Sequence, residues 1–152
     1  MIIRVIVFMV INFAALGIGG FLMDKGPSSA WYQNLAQAPW TPPGWVFGAA
    51  WTTIMICFSI YMGFAWKSVQ SRNTLLILFS VQWVLNVMWN PIFFKYHQVL
   101  PGLITIILLT VLIGYILFNY MPVLKVRTLL VLPYFLWLLV ACSLNAYIFF
   151  KN

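Results

Sequence analysis

Three carboxamide side chains recur at four-residue intervals within one apolar stretch of the sequence. Gln82, Asn86 and Asn90 would lie on a single stripe of an α-helix, because residues four apart face the same direction. An amide that faces lipid is costly, so we expect this stripe to face the interior of a helix bundle. Such amides either bond neighbouring helices together or offer donors and acceptors to a ligand, and the spacing leaves both interpretations open.

A second stripe, both aromatic and polar, lies near the C-terminus, where five residues recur at three- and four-residue steps. These residues are Tyr134, Trp137, Ala141, Leu144 and Asn145. Their spacing is that of one helix face. A seam that only packs helices together would be richer in Leu, Gly or Ala, whereas this one combines large rings with one small residue and one amide. The pattern favours a face that lines a pocket.

The chain contains eight tryptophans in 152 residues. Trp40, Trp45 and Trp66 lie at the ends of apolar stretches, where indole rings suit the interface of a bilayer. Trp51 and Trp137 lie well inside such stretches, and an interfacial role does not explain them. An indole offers a flat apolar face and one N–H donor. Together with the amides, these rings suit a flat aromatic ligand with a polar rim.

The residues that acid–base or metal chemistry needs are almost absent. The single acidic side chain is Asp24 and the single imidazole is His97, and both lie between apolar stretches. Paired carboxylates, a Ser/His/Asp triad and a metal-activated water therefore lack their parts. Cys57 and Cys142 lie inside apolar stretches and are interpreted as small buried hydrophobes. We expect no catalytic acid or base, no metal site and no resident cofactor.

The elements that position these stripes follow from composition. Hydrophobic residues make up 64% of the chain and charged residues 6%, against roughly 45–50% and 25% in soluble domains. Lipid must therefore surround most of the chain. The net charge is +7, but the cations stand singly at the edges of apolar stretches instead of forming a stripe. This placement favours lipid headgroups, and we expect a lipid bilayer around the protein and no nucleic-acid partner.

Five apolar stretches are long enough to span a membrane as helices. They cover residues 2–23, 44–66, 73–94, 101–121 and 128–150. The sequence therefore predicts an all-α membrane protein, one domain over residues 1–152, built as a five-helix bundle. The connection over residues 24–43 is the longest, and Ser28 and Ser29 are suited to cap a short helix over about 30–36. Pro133 is expected one turn inside the fifth helix, where it would introduce a kink.

Charge at the span ends predicts the orientation of the chain. Five cations would lie on the N-terminal side of the membrane and three on the other side, which favours a cytoplasmic N-terminus. Arg4 before an apolar stretch is also typical of a signal peptide, but the stretch exceeds a signal core, and we expect a retained helix. The prediction is a multi-pass integral membrane protein with a cytoplasmic N-terminus.

Three separated motifs resemble those of the TspO/MBR family, the tryptophan-rich sensory proteins that include the translocator protein or peripheral benzodiazepine receptor. The motifs are Trp31-Tyr32 with Pro39-Trp40-Thr41-Pro42-Pro43, Trp45 and Trp51; Leu85-Asn86 with Trp89 and Pro91-Ile92-Phe93-Phe94; and Pro133-Tyr134 with Trp137, Ala141 and Leu144-Asn145. The likeness runs from about residue 31 to the C-terminus in the family's order and spacing.

The resemblance implies a five-helix bundle, often a homodimer, with a pocket that opens toward the long first connection. It implies binding of porphyrins such as protoporphyrin IX, and of other planar hydrophobic molecules, as ligands for a sensory, transport or clearance role. Matched residue by residue, with Gln82 added from the amide stripe, the ligand-binding residues would be Trp31, Tyr32, Pro42, Trp51, Gln82, Asn86, Trp89, Tyr134, Trp137 and Ala141.

The resemblance also leaves alternatives open. Some bacterial relatives support light-dependent oxidative breakdown of protoporphyrin IX through two pocket tryptophans, to which Trp51 and Trp137 correspond; these would be the only catalytic residues. A small lipid or sterol translocator is a further alternative. Ala15 and Gly19 have the small-xxx-small spacing of close helix pairs, which fits either a dimer contact or packing within the bundle.

Overall fold

The computed structural model describes residues 1–152, and it contains helices and no strands. Seven α-helices follow in chain order: α1 Ile2–Leu22, α2 Ala30–Gln33, α3 Gly44–Ser68, α4 Arg72–Asn90, α5 Val99–Asn119, α6 Met121–Leu124 and α7 Leu132–Lys151. Five of these, α1, α3, α4, α5 and α7, are long and apolar enough to cross a membrane. The expected fold class, an all-α bundle with five membrane-spanning helices, is confirmed.

The residues that begin and end these helices have identifiable roles. Ser29 caps α2, since its hydroxyl oxygen accepts a hydrogen bond from the backbone N–H of Tyr32. Pro43 precedes the first turn of α3, where no backbone donor is required of it. At the C-terminal end of α4, Pro91 begins a π-helical turn over Pro91–Lys95, which continues this membrane-spanning helix. The residues over 91–95 therefore remain in the wall of the bundle.

The last membrane-spanning helix begins later than the sequence indicates. Residues Lys125–Leu130 form a 3₁₀ helix, and Lys125 at its start has a positive φ of 50° that interrupts the preceding helix α6. As a result Pro133 lies in the first turn of α7, a position that proline tolerates without loss of a hydrogen bond. The expected position of Pro133 one turn inside the helix was wrong.

Helix α1 packs against α3 and α4 through small and polar residues. The amide of Asn12 donates a hydrogen bond to the hydroxyl of Ser59 on α3, at 2.8 Å, and both side chains are buried. Such a bond between membrane helices contributes roughly 0.6 kcal/mol on average. A Cβ at Gly19 would lie 2.6 Å from the amide nitrogen of Asn90, so a larger residue there would displace the Asn90 side chain. Ala15 and Gly19 thus pack inside the bundle.

The core lies toward the turns that join α3 to α4 and α5 to α7. It contains stacked and edge-on aromatic rings, among them Phe58, Phe79 and Tyr134, with Phe8 of α1 edge-on to Phe79. These rings are almost fully buried. The core fills that half of the bundle, whereas the half nearest residues 24–43 is open inside.

Residues 24–43, hereafter the first loop, cover the open end of the bundle and are fixed to α7. The indole N–H of Trp40 donates to the hydroxyl of Ser143 at 3.1 Å, and its ring lies edge-on to Tyr147. The side chain of Asn152 accepts a bond from the backbone N–H of Ala36 and donates one to its carbonyl, at 2.8 and 3.2 Å. The loop therefore runs along the C-terminal half of α7 as a cover.

Candidate ligand-binding cavity

A cavity of about 610 Å³ lies between the membrane-spanning helices and beneath the first loop. This volume is within the range of roughly 300–1,000 Å³ that small-molecule sites occupy. Aromatic rings form much of its wall, including Phe47 and Trp51 of α3, Trp89 of α4 and Trp137 of α7. No Asp, Glu, Lys, Arg or His lines it. The cavity is thus aromatic, mainly apolar and free of charge.

Most of the residues expected from the sequence line this cavity. Those that do are Tyr32, Pro42, Trp51, Asn86, Trp89, Trp137 and Ala141. They come from the first loop and from three helices, and the bundle brings them around one space. Asn86 of the amide stripe is buried and lines the cavity, as does Asn90, whose amide donates a bond to the backbone carbonyl of Asn86 at 3.1 Å.

Gln82 and Tyr134 are placed beside the cavity and do not line it. The Tyr134 hydroxyl donates a hydrogen bond to the Gln82 side-chain oxygen at 3.0 Å, and both residues are buried. Each lies about one helical turn further from the first loop than its neighbours Asn86 and Trp137. The Tyr134 ring packs edge-on against Trp51 at 5.9 Å. The pair joins α4 to α7 and supports one wall of the site.

Trp31 likewise does not line the cavity. Its ring stacks on the imidazole of His97 with centroids 4.1 Å apart and planes at 12°, and it lies edge-on to Phe93. The adjacent residue Tyr32 does line the cavity and packs edge-on against Phe94 at 5.3 Å. Burial raises the pKa of the Tyr32 hydroxyl above its ordinary value, so this group stays neutral. Trp31 therefore anchors the first loop, and Tyr32 forms part of the wall.

Two polar atoms in the wall have no hydrogen-bond partner in the protein. They are the indole nitrogen of Trp89, which can only donate, and the side-chain oxygen of Asn145, which can only accept. The amide nitrogen of Asn145 donates to the carbonyl of Ala141 at 3.0 Å, which fixes the orientation of the amide. An unpaired buried polar atom costs about 1–3 kcal/mol. Both atoms are buried within the wall, so a ligand would bond them only if the neighbouring side chains moved to admit it.

Several lining residues are absent from the set expected by sequence reasoning. Asn145 is one, although it stands on the C-terminal stripe. Gly44 and Gly48 are others, and a Cβ at either would meet no atom within 4 Å, which leaves room in the cavity. Their four-residue spacing, one turn before Trp51, is the signal that indicates a shared face. Phe47 lies between them and meets Trp137 edge-on at 5.3 Å.

This geometry can bind a molecule but offers no acid–base chemistry. Indole faces and amides suit recognition of a planar apolar body with polar groups at its edge. Lys25 of the first loop is exposed to solvent and does not line the cavity. Charged groups of a ligand would therefore remain at the mouth, because the interior has no counter-charge.

Comparison with known proteins agrees with this architecture. The family model for the TspO/MBR family matches residues 6–151. A tryptophan-rich protein TspO of Chlorobaculum tepidum is 33% identical over 135 residues, covering 86% of this chain and 85% of the relative. Protein CrtK of Rhodobacter capsulatus is 32% identical over 136 residues, covering 87% and 82%. The translocator protein of Homo sapiens is 28% identical over 124 residues, covering 79% and 73%. The chain is a member of the TspO/MBR family.

Proposed function

We propose that this membrane protein binds porphyrins, such as protoporphyrin IX, and related flat hydrophobic molecules in the cavity beneath the first loop. The observation that carries the proposal is an uncharged cavity of about 610 Å³ whose wall combines three indole rings with buried amides. Trp51 and Trp137 would stack on the macrocycle, and Asn86 would bond its polar edge. Binding of this kind serves a sensory, transport or clearance role.

The charge distribution supports a defined pose for a porphyrin. Since the cavity has no cation, the two carboxylates of protoporphyrin IX would stay at the mouth, near Lys25 of the first loop. The macrocycle would extend inward among the rings. Trp89 and Asn145 would then offer a donor and an acceptor to the buried part of the ligand once the neighbouring side chains move to admit it.

Fluorescence titration tests this function. Protoporphyrin IX is added to the detergent-purified protein, and quenching of tryptophan emission is followed. We expect saturable binding by the wild type and about tenfold weaker binding for Trp51→Phe and for Trp137→Phe, which corresponds to roughly 1.4 kcal/mol each. Trp45→Phe is the matched control, because Trp45 is 75% exposed and lies outside the cavity. Wild-type affinity in the Trp51→Phe, Trp137→Phe double variant would contradict the proposal.

A second candidate function is light-dependent oxidation of the bound porphyrin by molecular oxygen. The observation that favours it is the presence of both Trp51 and Trp137 in the wall of one cavity. An indole can donate an electron to the photoexcited porphyrin, which passes it to O₂ to give superoxide. The indole radical cation then regains an electron from the macrocycle, and the oxidised macrocycle combines with superoxide. Loss of the porphyrin Soret band is measured under illumination, with and without oxygen. We expect the Trp51→Phe and Trp137→Phe variants to bleach slowly and Trp45→Phe to bleach as the wild type does.

We also propose that the protein resides in the bacterial cell membrane with its N-terminus in the cytoplasm. The turn after α3 and the segment between α5 and α7 place Lys67, Arg72, Lys125 and Arg127 at the end of the bundle where α1 begins, near Arg4. The opposite end carries Lys25, Lys95 and Lys151. The excess of cations at the first end supports a cytoplasmic location for it, and the first loop then faces outward.

A further inference from the structure

A shallow groove of about 390 Å³ lies on the outer surface between α3 and α7, directly against the cavity. Its floor and sides include Ala49, Ala50 and Thr53 of α3, and Leu136 and Trp137 of α7. Trp137 is the one residue that lines both the groove and the cavity. Its ring therefore separates the ligand site from the face of the bundle that hydrocarbon surrounds.

The seam between α3 and α7 at this point is built largely from small residues. Gly44 and Gly48 face the cavity with open space around them, and Ala49 and Ala50 face the groove. The Trp137 ring lies between α3 and α7 at this point and packs edge-on against Phe47. Among the residues that line the groove, only Trp137 also lines the cavity.

Trp137 lacks the indole hydrogen bond that fixes two other tryptophans, Trp40 and Trp83. Trp83 donates its indole N–H to the carbonyl of Ile11 at 2.9 Å, and Trp40 donates its own to Ser143 at 3.1 Å. Trp137 makes no hydrogen bond, and its one aromatic contact is the edge-on approach of Phe47 at 5.3 Å. Rotation of its side chain breaks no polar interaction.

The other way into the cavity, under the first loop, crosses several fixed contacts. Ala36 is bonded twice to Asn152, Trp40 is bonded to Ser143, and Trp31 is stacked on His97. The groove lacks such bonds and is apolar. A ligand that is flat and hydrophobic enough for the cavity also partitions into a bilayer, where it meets the groove first.

We propose that the ligand of the cavity enters and leaves laterally, from the bilayer, through the groove between α3 and α7, with the Trp137 side chain as the moving wall. This inference rests on the proposed binding function and adds the source of the ligand: the hydrocarbon phase of the membrane. It predicts that a residue of the groove controls the rate of binding without changing its strength.

The test uses the full-length protein in lipid vesicles that contain protoporphyrin IX dimethyl ester, which has no free carboxylate. Stopped-flow quenching of tryptophan emission gives the association and dissociation rates. Ala49→Phe fills the groove at a residue that does not line the cavity. We expect both rates to fall at least tenfold, with an unchanged dissociation constant. Ala14→Phe is the matched control, because Ala14 is exposed on α1 and lines neither space.

A second variant, which widens the groove, provides an independent test in case the Ala49→Phe variant does not fold. Leu136→Ala removes an exposed side chain from the groove, and both rates should rise several-fold at constant affinity.

The outcomes separate the route from the binding function. If Ala49→Phe and Leu136→Ala both show wild-type rates while the wild type binds the ligand, the lateral route alone is overturned. Faster entry in Asn152→Ala with no change in the groove variants would place the entrance under the first loop. Absence of binding by the wild type would remove the proposed function itself, and the lateral route with it.

Discussion

Asn145 and Trp89 line the cavity, and each carries a buried polar atom without a hydrogen-bond partner in the protein. Helical bonding already satisfies the Ala141 carbonyl, so the contact that Asn145 makes there adds little to stability. Its side-chain oxygen is buried without a partner in the protein. We interpret this atom as kept for binding at the expense of stability, a compromise found at many sites that recognise ligands.

Asn145→Leu tests that interpretation at the level of one residue. Leucine has a similar size and carries no polar atom, so we expect the unfolding temperature without ligand to stay the same or to rise. The affinity for protoporphyrin IX should fall about tenfold, because the acceptor is lost. Thermal unfolding with and without the porphyrin measures both effects. A lower unfolding temperature combined with unchanged affinity would show that Asn145 serves packing instead.

Helical spacing predicts which direction a side chain faces but not how far along the bundle the cavity extends. The stripes turn Gln82 and Tyr134 inward, as the sequence indicates, yet these two satisfy each other next to the site. Conversely, Asn145 has no matching partner and lines the cavity. Whether an inward polar group meets a protein partner or a ligand depends on the neighbouring helix, and spacing within one helix does not contain that information.

Among the elements, the long helices follow from hydropathy, whereas their ends depend on local backbone geometry. The chain over 128–131 is as apolar as a span, and so hydropathy does not distinguish its 3₁₀ turn from the α-helix that begins at Leu132. The first loop is the least predictable element. Its prolines and serines indicate breaks and caps, but its contacts with α7 involve residues more than 100 positions away in sequence.

The contacts between α7 and the first loop predict how rapidly the loop backbone exchanges its amide hydrogens. Trp40→Phe keeps an aromatic ring against Tyr147 and removes the indole N–H that bonds Ser143. We expect faster hydrogen–deuterium exchange in the loop segment around Trp40, by several-fold, with no change in α3 or α4. Trp45→Phe, which removes no hydrogen bond, is the control. Equal exchange in the two variants would mean that this bond does not hold the loop.

For the whole molecule, the distribution of cations over the two ends predicts its orientation. Arg72 and Arg127 lie over the rings of Trp66 and Phe64, at 5.6 and 4.5 Å, where long basic side chains reach a headgroup region. Lys151 lies over Tyr147 at the opposite end, at 6.0 Å. Both ends are thus anchored by cations and aromatic rings, and the number of cations distinguishes them.

Cysteine labelling on intact cells measures this orientation. In a background with Cys57 and Cys142 replaced by alanine, we expect a membrane-impermeant maleimide to label Ser28→Cys in the first loop. Gln70→Cys, in the turn after α3, should react only after the cells are permeabilised. Both positions are exposed in the structure. The reverse pattern would place the first loop in the cytoplasm.

The uncharged wall of the cavity has a consequence for how the protein responds to its surroundings. Nothing in that wall gains or loses a proton near neutral pH, and no fixed charge there senses an electric field. Acidification, ionic strength or a change in membrane voltage should therefore leave the buried contacts untouched. Any dependence of binding on pH or salt should therefore come from the mouth, where Lys25 lies, and a ligand without carboxylates should bind with the same affinity across these conditions.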